Sequence, residues 1–257
     1  MNKFAWLLSC GLVAVCFASC NNKGTSQGKE QSNNEVEIHE YYKQALDLIN
    51  QENYAEAKTF LVKAADNGST EAMNDLGVLY SNGLGVDKNL QTAFNWYMKA
   101  AEKGLAVAQY SVGVCYHFGE GVQSNIQKAV EWYTKAANND NELAQYNLGE
   151  CYYFGDGVAK DVDVANGWYS KSAEQGYAKA QYALGMSYYN GWGLAQSYDK
   201  AFQLFKKSAE QGYDEGQYAV GLCYSRGQGV ERNTQTALVW YRKAAEQGNK
   251  KALKIFE

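Results

Sequence analysis

Residues 143–178 read LAQYNLGECYYFGDGVAKDVDVANGWYSKSAEQGYA, and residues 179–214 continue with KAQYALGMSYYNGWGLAQSYDKAFQLFKKSAEQGYD. The two segments align over 36 residues without a gap, and three further segments of the same length align with them. A fixed period in this range is typical of a solenoid built from supersecondary units. The five repeats are residues 71–106, 107–142, 143–178, 179–214 and 215–250.

Each repeat contains two helical segments that are separated by a glycine turn. In the repeat at 143–178 the first segment ends at Gly155 and Gly157, which permit the positive φ angles of a tight turn. The second segment runs from about residue 161 to residue 173, with Trp168 and Tyr169 on an apolar face. We therefore predict a helix–turn–helix unit. We also expect the recurring tryptophans to belong to the core, namely Trp96, Trp132, Trp168 and Trp240.

The repeat pattern resembles that of a known family. It reads A-x-Y-x-L-G-x-x-Y, then G-x-G-V, then A-x-x-W-Y-x-K-A-A-E-Q-G. This pattern resembles the Sel1-like repeat, a relative of the tetratricopeptide repeat, over residues 71–250. The resemblance implies an all-α, right-handed α-solenoid. Residues 38–70 look like an N-terminal tetratricopeptide-like helix pair, and residues 251–257 look like a partial capping helix with Phe256 at the position of Leu148.

The N-terminus has the pattern of an export signal. Residues 1–19 form a short apolar segment that ends in Phe17-Ala18-Ser19, directly before Cys20. Small residues before a cysteine resemble the lipobox of bacterial lipoproteins, which implies cleavage before Cys20 and lipidation of that residue. Three acyl chains exceed what stable membrane attachment needs. A plain signal peptide and an uncleaved anchor are the alternatives.

The segment after the cysteine is polar. Residues 20–37 contain almost no apolar side chains, so we predict a lipidated, flexible tether. The lipobox implies an exported protein that is lipid-anchored to a bacterial membrane. In a Gram-negative host, Asn21 resembles an outer-membrane sorting signal, and the protein would face the periplasm.

Composition excludes several classes of function. The chain has 24 basic and 28 acidic residues, and its formal charge of −4 gives no bulk attraction for nucleic acid. Two histidines leave little material for a metal site, so we expect no metal and no cofactor. Because equivalent helices lie roughly 8–10 Å apart and a disulfide needs Cα atoms within about 7 Å, we expect unbridged, buried thiols at Cys115, Cys151 and Cys223.

A binding surface is predicted on one face of the first helices. At 100° per residue, repeat positions 1, 4, 8, 11 and 12 fall on one side, opposite Leu148, Gly149 and Tyr152. In tetratricopeptide-like folds this side lines a concave groove, and the resemblance implies the same here. Packing between neighbouring helices is the alternative role for these rings. The groove residues that we predict are Tyr110, His117, Phe118, Tyr146, Tyr153, Phe154, Tyr182, Tyr189 and Tyr218.

Three functions remain open at this point. The first is a non-enzymatic scaffold of the cell envelope that binds a protein or peptide segment in the groove. The second is an aromatic groove for a glycan such as peptidoglycan. The third is hydrolysis, because some cysteine-rich Sel1-like proteins were described as β-lactamases. Those proteins carry regularly paired cysteines in each repeat, which this chain lacks, so we expect no enzymatic activity.

Overall fold

The computed structural model describes residues 26–257, with side chains from residue 35 onward. Residues 38–257 form one compact unit, and residues 26–37 belong to a separate one. The described part contains thirteen helices and no strand. The helices are α1 (Ser26–Asn50), α2 (Tyr54–Asp66), α3 (Thr70–Asn82), α4 (Leu90–Glu102), α5 (Ala106–Phe118), α6 (Ile126–Asn138), α7 (Glu142–Phe154), α8 (Val162–Glu174), α9 (Ala178–Asn190), α10 (Tyr198–Glu210), α11 (Asp214–Arg226), α12 (Thr234–Glu246) and α13 (Lys250–Leu253).

The helices stack in sequence order. From α2 to α13, consecutive helices contact one another. We call α3, α5, α7, α9 and α11 the first helices, and α4, α6, α8, α10 and α12 the second helices. Contacts between sequence neighbours are typical of a repeat array, in which each unit is stabilised by its neighbours. The predicted all-α solenoid is confirmed.

Short-range signals fix the helix boundaries. Each first helix ends at a glycine in the left-handed region, with φ between 69° and 83°. Each second helix begins after a polar residue whose side chain accepts a backbone N–H bond, as Asp161 does from Val164 at 3.0 Å. The corresponding caps are Asn89, Asn125, Ser197 and Asn233. These caps stabilise a helix start by about 1 kcal/mol each.

The interior of each repeat is a ring packed on a glycine. Tyr169 of α8 is 2% exposed and lies against Gly149 of α7. A Cβ atom on Gly149 would lie 2.6 Å from the Tyr169 ring, so no side chain fits there. The same pair recurs in the other four repeats, as Tyr97 on Gly77, Tyr133 on Gly113, Phe205 on Gly185 and Tyr241 on Gly221.

Adjacent repeats are joined by a glutamine seam. The buried Gln145 donates from Nε2 to the carbonyl of Ala137 in the preceding repeat, at 3.1 Å. Its Oε1 accepts a 2.9 Å bond from Gln175 Nε2 at the end of its own repeat. Both bonds recur at Gln109, Gln181 and Gln217, with Asn139, Gln211 and Gln247 as the donors to Oε1. In four of the five turns the second glycine also lies against backbone of an earlier helix, as Gly121 does on Leu90, whereas Gly193 lies against side chains of α8.

The tryptophans lie at the edge of the core rather than inside it. Trp168 is half-buried, and Lys171 Nζ lies 4.2 Å from its ring centroid. Trp96, Trp132 and Trp240 are also half-buried beneath the lysine three residues later. The expectation that these rings belong to the core therefore needs correction, because the indole carries an exposed cation–π contact on one side.

The two ends of the repeat array differ from what the sequence suggests. Helix α1 begins at Ser26, so residues 26–37 are helical although we predicted a flexible tether for residues 20–37. Lys, Glu and Gln have good helix propensity even without an apolar face. At the other end Phe256 is 47% exposed whereas Leu148 is 1% exposed. Helix α13 ends at Leu253, and no described second helix covers Phe256 as α8 covers Leu148.

Candidate functional site

Four of the predicted groove tyrosines form a row along the first helices. Tyr110, Tyr146, Tyr182 and Tyr218 are half-buried. The ring of Tyr146 lies against the buried ring of Tyr169 in its own repeat, with 5.9 Å between the centroids. The corresponding distances for the other three, against Tyr133, Phe205 and Tyr241, are 5.9, 5.7 and 5.4 Å. Each ring therefore packs on the core with one part of its surface and leaves the other part exposed to solvent.

Two further tyrosines, which the sequence projection missed, join this row. Tyr177 and Tyr213 occupy the N-cap positions of α9 and α11, where neither side chain caps the helix. Their rings meet Tyr146 and Tyr182 edge-on, at centroid distances of 5.3 and 5.6 Å. The N-caps of α3, α7 and α13 are the capping residues Ser69, Asn141 and Asn249.

A carboxylate lies beside these rings. Glu150 is half-buried and accepts a hydrogen bond from the hydroxyl of Tyr169. The same position of the other repeats is apolar, with Val78, Val114, Met186 and Leu222. We call Tyr110, Tyr146, Glu150, Tyr177, Tyr182, Tyr213 and Tyr218 the tyrosine face.

The hydroxyl groups of the tyrosine face lie in a negative environment. Burial is the main cause that raises the pKa of Tyr146, and Glu150 adds to the effect. Burial also raises the pKa of Tyr213 to about 12, with further contributions from Glu215, Asp214 and Glu150. The pKa of Tyr177 is raised by burial and, among charged groups, by Glu142 and Glu150. All the charged groups that shift these three pKa values are carboxylates.

Position 11 of the repeat has a structural role in three repeats. Tyr133 is within 3.5 Å of His117 Nδ1 through its hydroxyl. Ser81 and Ser225 contact the hydroxyls of Tyr97 and Tyr241 in the same way, at 3.2 and 3.1 Å. These polar side chains satisfy a core hydroxyl that would otherwise lose its partner. His117, a predicted groove residue, is half-buried and contributes to packing.

Tyr153 and Tyr189 occupy the same position without that role. The hydroxyl of Tyr169 turns to Glu150 instead, and Phe205 has no hydroxyl to satisfy. The ring of Tyr153 lies 5.9 Å from that of Trp192 in the next repeat. The Tyr189 hydroxyl donates to Gln228 and accepts a 3.0 Å bond from Arg226 Nη1. Both tyrosines therefore bridge adjacent repeats.

Three apolar rings are exposed where the first helices end. Phe118 is 68% exposed and Phe154 is 61% exposed, and both are predicted groove residues. Trp192 in the turn after α9 is 42% exposed. We call Phe118, Phe154 and Trp192 the aromatic rim. His117 stacks on Phe118, with centroids 4.5 Å apart, so neighbouring rings hold the rim in place.

The described residues offer little for catalysis. Within residues 35–257 no group of three or more His, Cys, Asp and Glu side chains is placed to bind a metal ion. Cys115, Cys151 and Cys223 are buried, as predicted. Burial raises the pKa of the Cys151 thiol to about 11 and that of the other two thiols to about 12. Thiols in such surroundings are poor nucleophiles at neutral pH.

The predicted anchor residue, Cys20, lies outside the described residues. In the part of the chain that the structure describes, no helix combines the length and the apolar character of a membrane span.

Comparisons with known proteins agree with the geometry. A family model described as the Sel1 repeat matches residues 40–69, 70–105, 106–141, 143–177, 178–213 and 214–249. The structure resembles a Sel1 repeat protein from Oxalobacter formigenes, with 34% identity, a TM-score of 0.78 and coverage of 84% of this chain and 86% of that one. It also resembles c5321, a protective antigen of uropathogenic Escherichia coli strains with an SLR fold, at 33% identity and a TM-score of 0.51.

In that second comparison 88% of this chain aligns with 56% of the other. The immunity protein Pa5087 of Pseudomonas aeruginosa shares the fold at 23% identity, with a TM-score of 0.52 and 83% of each chain covered. The comparison with curated proteins gives no match. Members of the Sel1 repeat family are generally non-catalytic scaffolds, which supports a general role in protein–protein interaction. The chain belongs to the Sel1 repeat family.

Proposed function

We propose that this protein is a non-enzymatic scaffold that binds a segment of a partner protein along the tyrosine face and the aromatic rim. Tyrosine combines an apolar ring with a polar hydroxyl and loses little conformational entropy on binding, which suits recognition surfaces. The exposed phenyl rings of Phe118 and Phe154 supply apolar anchors beside it.

The observation that carries the proposal is the pair Tyr177 and Tyr213. Each stands where a capping side chain would stabilise the helix, and each directs its ring onto a neighbouring tyrosine instead. Departures from a local stability rule are expected at functional sites, and Tyr177 and Tyr213 differ from Leu105, the uncapped N-cap of α5, in adding aromatic rings to the row.

The proposal includes a location. We propose that the chain is exported, lipidated at Cys20 and held on a bacterial membrane, in a Gram-negative host the outer membrane with the repeats in the periplasm. The support is the apolar segment 1–19 and the Phe17-Ala18-Ser19-Cys20 sequence. Replacement of Cys20 by Ser should release the protein into the soluble fraction, and unaltered membrane retention would show that this assignment is wrong.

The binding proposal is tested with variants that restore the caps. Tyr177→Asn and Tyr213→Asn together introduce the residue that caps α7, where Asn141 accepts a 2.8 Å bond from Ala144 N. We expect capture of a partner from envelope extract to fall at least tenfold, because two rings of the face are removed. The thermal midpoint should change little, because the cap that each helix gains offsets packing that is lost with each ring.

A matched control separates binding from capping. Leu105 is the N-cap of α5 and has no side-chain cap bond, so Leu105→Asn makes the same change of cap at a position that carries no aromatic ring. This variant should retain full capture. If the double tyrosine variant also retains it, the tyrosine face is not the binding surface.

The aromatic rim favours a glycan as the second candidate ligand, because exposed rings bind the apolar faces of sugars. Purified sacculi should then sediment the full chain, and Phe154→Ala combined with Trp192→Ala should abolish this. Recovery of the chain only in the supernatant would exclude this candidate.

A further inference from the structure

Glu150 is a half-buried carboxylate that no basic side chain neutralises within the described residues. Two ion pairs occur in residues 35–257, Lys206 with Glu210 and Lys251 with Glu215, and neither involves Glu150. It accepts a hydrogen bond from the neutral hydroxyl of Tyr169. A charge that is partly removed from water without a partner is unfavourable. The position is apolar in the other four repeats, and the bond to Tyr169 needs only an oxygen acceptor, so the negative charge of Glu150 is not required for it.

The last repeat shows what such a carboxylate accepts. Lys251 Nζ lies 3.0 Å from Glu215 Oε2 and 5.8 Å from the centroid of the Tyr218 ring. The ammonium group thus meets a carboxylate and a ring of the tyrosine face at the same time. Both contacts are favourable for a cation, through charge pairing and through the negative face of the ring.

The centre of the tyrosine face has the same two components without the lysine. Glu150 lies one helical turn after Tyr146 on α7, and the ring of Tyr177 meets the ring of Tyr146 edge-on. The group is acidic as a whole, because Glu142 also acts on the hydroxyl of Tyr177. A partner group that fits it carries a positive charge on a partly apolar stem.

We propose that Tyr146, Glu150 and Tyr177 bind the guanidinium or ammonium group of an Arg or Lys side chain in the partner segment. The inference rests on the proposed function, and it adds the chemistry of the partner. The side chain places its charge against Glu150 and its methylene stem against the rings. Arginine suits the site best, since its planar group stacks on aromatic faces and is weakly hydrated.

The test is a titration of the full chain, labelled with [13C]tyrosine, with n-butylguanidinium as the probe. N-butylurea is the control probe, because it has nearly the same shape and no charge. We expect saturable shifts of tyrosine ring resonances with the guanidinium compound only. In Glu150→Gln the dissociation constant should rise about fivefold or more, because the charge at the cation is lost.

The variant keeps the fold intact, because a glutamine oxygen can still accept the bond from Tyr169. Glu131→Gln removes the same charge from the exposed surface of α6 and should leave the dissociation constant unchanged. Equal shifts with butylurea, or equal affinity in Glu150→Gln and the unmodified chain, would overturn the inference.

The two proposals fail separately. If Tyr177→Asn with Tyr213→Asn abolishes partner capture while Glu150→Gln changes neither capture nor guanidinium affinity, the scaffold proposal stands and the cation inference is wrong. If guanidinium binds in a Glu150-dependent way while the double tyrosine variant captures partners normally, the tyrosine face holds cations but is not the scaffold surface.

Discussion

Position 27 of the five repeats carries Tyr97, Tyr133, Tyr169, Phe205 and Tyr241, and position 8 carries Val78, Val114, Glu150, Met186 and Leu222. The first set is buried and packs on one glycine in every repeat. The second set lies on the first helices, where shape and charge change from one repeat to the next. Packing geometry thus restricts the interior strongly and restricts position 8 weakly. Under the proposed function, the variation at position 8 is the part of this comparison that carries information about a ligand.

The sharpest way to test this contrast is to place a side chain on an interior glycine. Gly149→Leu forces atoms into the ring of Tyr169, which a single Cβ would already approach to 2.6 Å. We expect the free energy of unfolding in urea to fall by about 3 kcal/mol or more, because overpacking displaces a buried ring. A loss below 1 kcal/mol would show that the interior is more tolerant than the contrast requires.

A substitution in the glutamine seam should cause the second largest loss in the free energy of unfolding. Gln145→Leu leaves the carbonyl of Ala137 and the amide of Gln175 without their partners. We expect a loss of about 2 kcal/mol by chemical denaturation, since buried polar groups then lack hydrogen bonds. Gln127→Leu on the exposed surface of α6 is the control and should change stability by less than about 0.5 kcal/mol.

The raised pKa of Tyr213 on the tyrosine face should make the free energy of unfolding depend on pH in the alkaline range. The pKa of Tyr213 is raised to about 12 in the folded state from an ordinary value of 10. Its contribution is present below pH 10 and is lost as pH rises toward 12, because the unfolded state releases the proton first. Between pH 9 and pH 11 Tyr213→Phe should lose about 1 kcal/mol less stability than the unmodified chain, with allowance for the partial exposure of the ring. Parallel curves for the two proteins would contradict this environment for Tyr213.

The smallest change in the free energy of unfolding is expected for a substitution on the outer surface of α8. Gly167 lies inside this helix, and a Cβ there would meet nothing within 4 Å. Gly167→Ala should raise the free energy of unfolding by about 0.5–1 kcal/mol, because alanine has the higher helix propensity. The opposite sign of Gly149→Leu and Gly167→Ala distinguishes packing from propensity within one repeat. A destabilised Gly167→Ala protein would indicate a contact that the structure does not have.

Most of the repeat follows from local rules. The glycine pair at Gly155 and Gly157 marks the turn, and the second helix predicted from about residue 161 to residue 173 is α8, Val162–Glu174. Gly149 and Leu148 face the second helix because helical periodicity places them there. Each of these inferences uses residues within one helix or one turn, where spacing in sequence determines geometry.

The tyrosine face was predicted only in part, for physical reasons. Tyr177 and Tyr213 precede their helices, so a projection along the helix axis does not reach them, although their departure from Ser69 and Asn141 at the cap position was visible. His117 was assigned to the groove because the projection gives direction without contacts, and its bond to Tyr133 depends on a ring 16 residues away. Side-chain partners across helices are set by packing, which periodicity does not encode.

The glutamine seam has a consequence for how such a chain can change length. Gln145 and Gln181 each donate to a carbonyl eight residues earlier and accept from an amide 30 residues later. Loss or duplication of a 36-residue block would bring together two repeats with the same donors and acceptors at the seam. The new junction would therefore form the same glutamine hydrogen bonds. Loss or duplication of any block within residues 107–250 would change the number of tyrosines at repeat position 4 by one. The length of the tyrosine face would therefore depend on the number of repeats and not on the sequence of any single repeat.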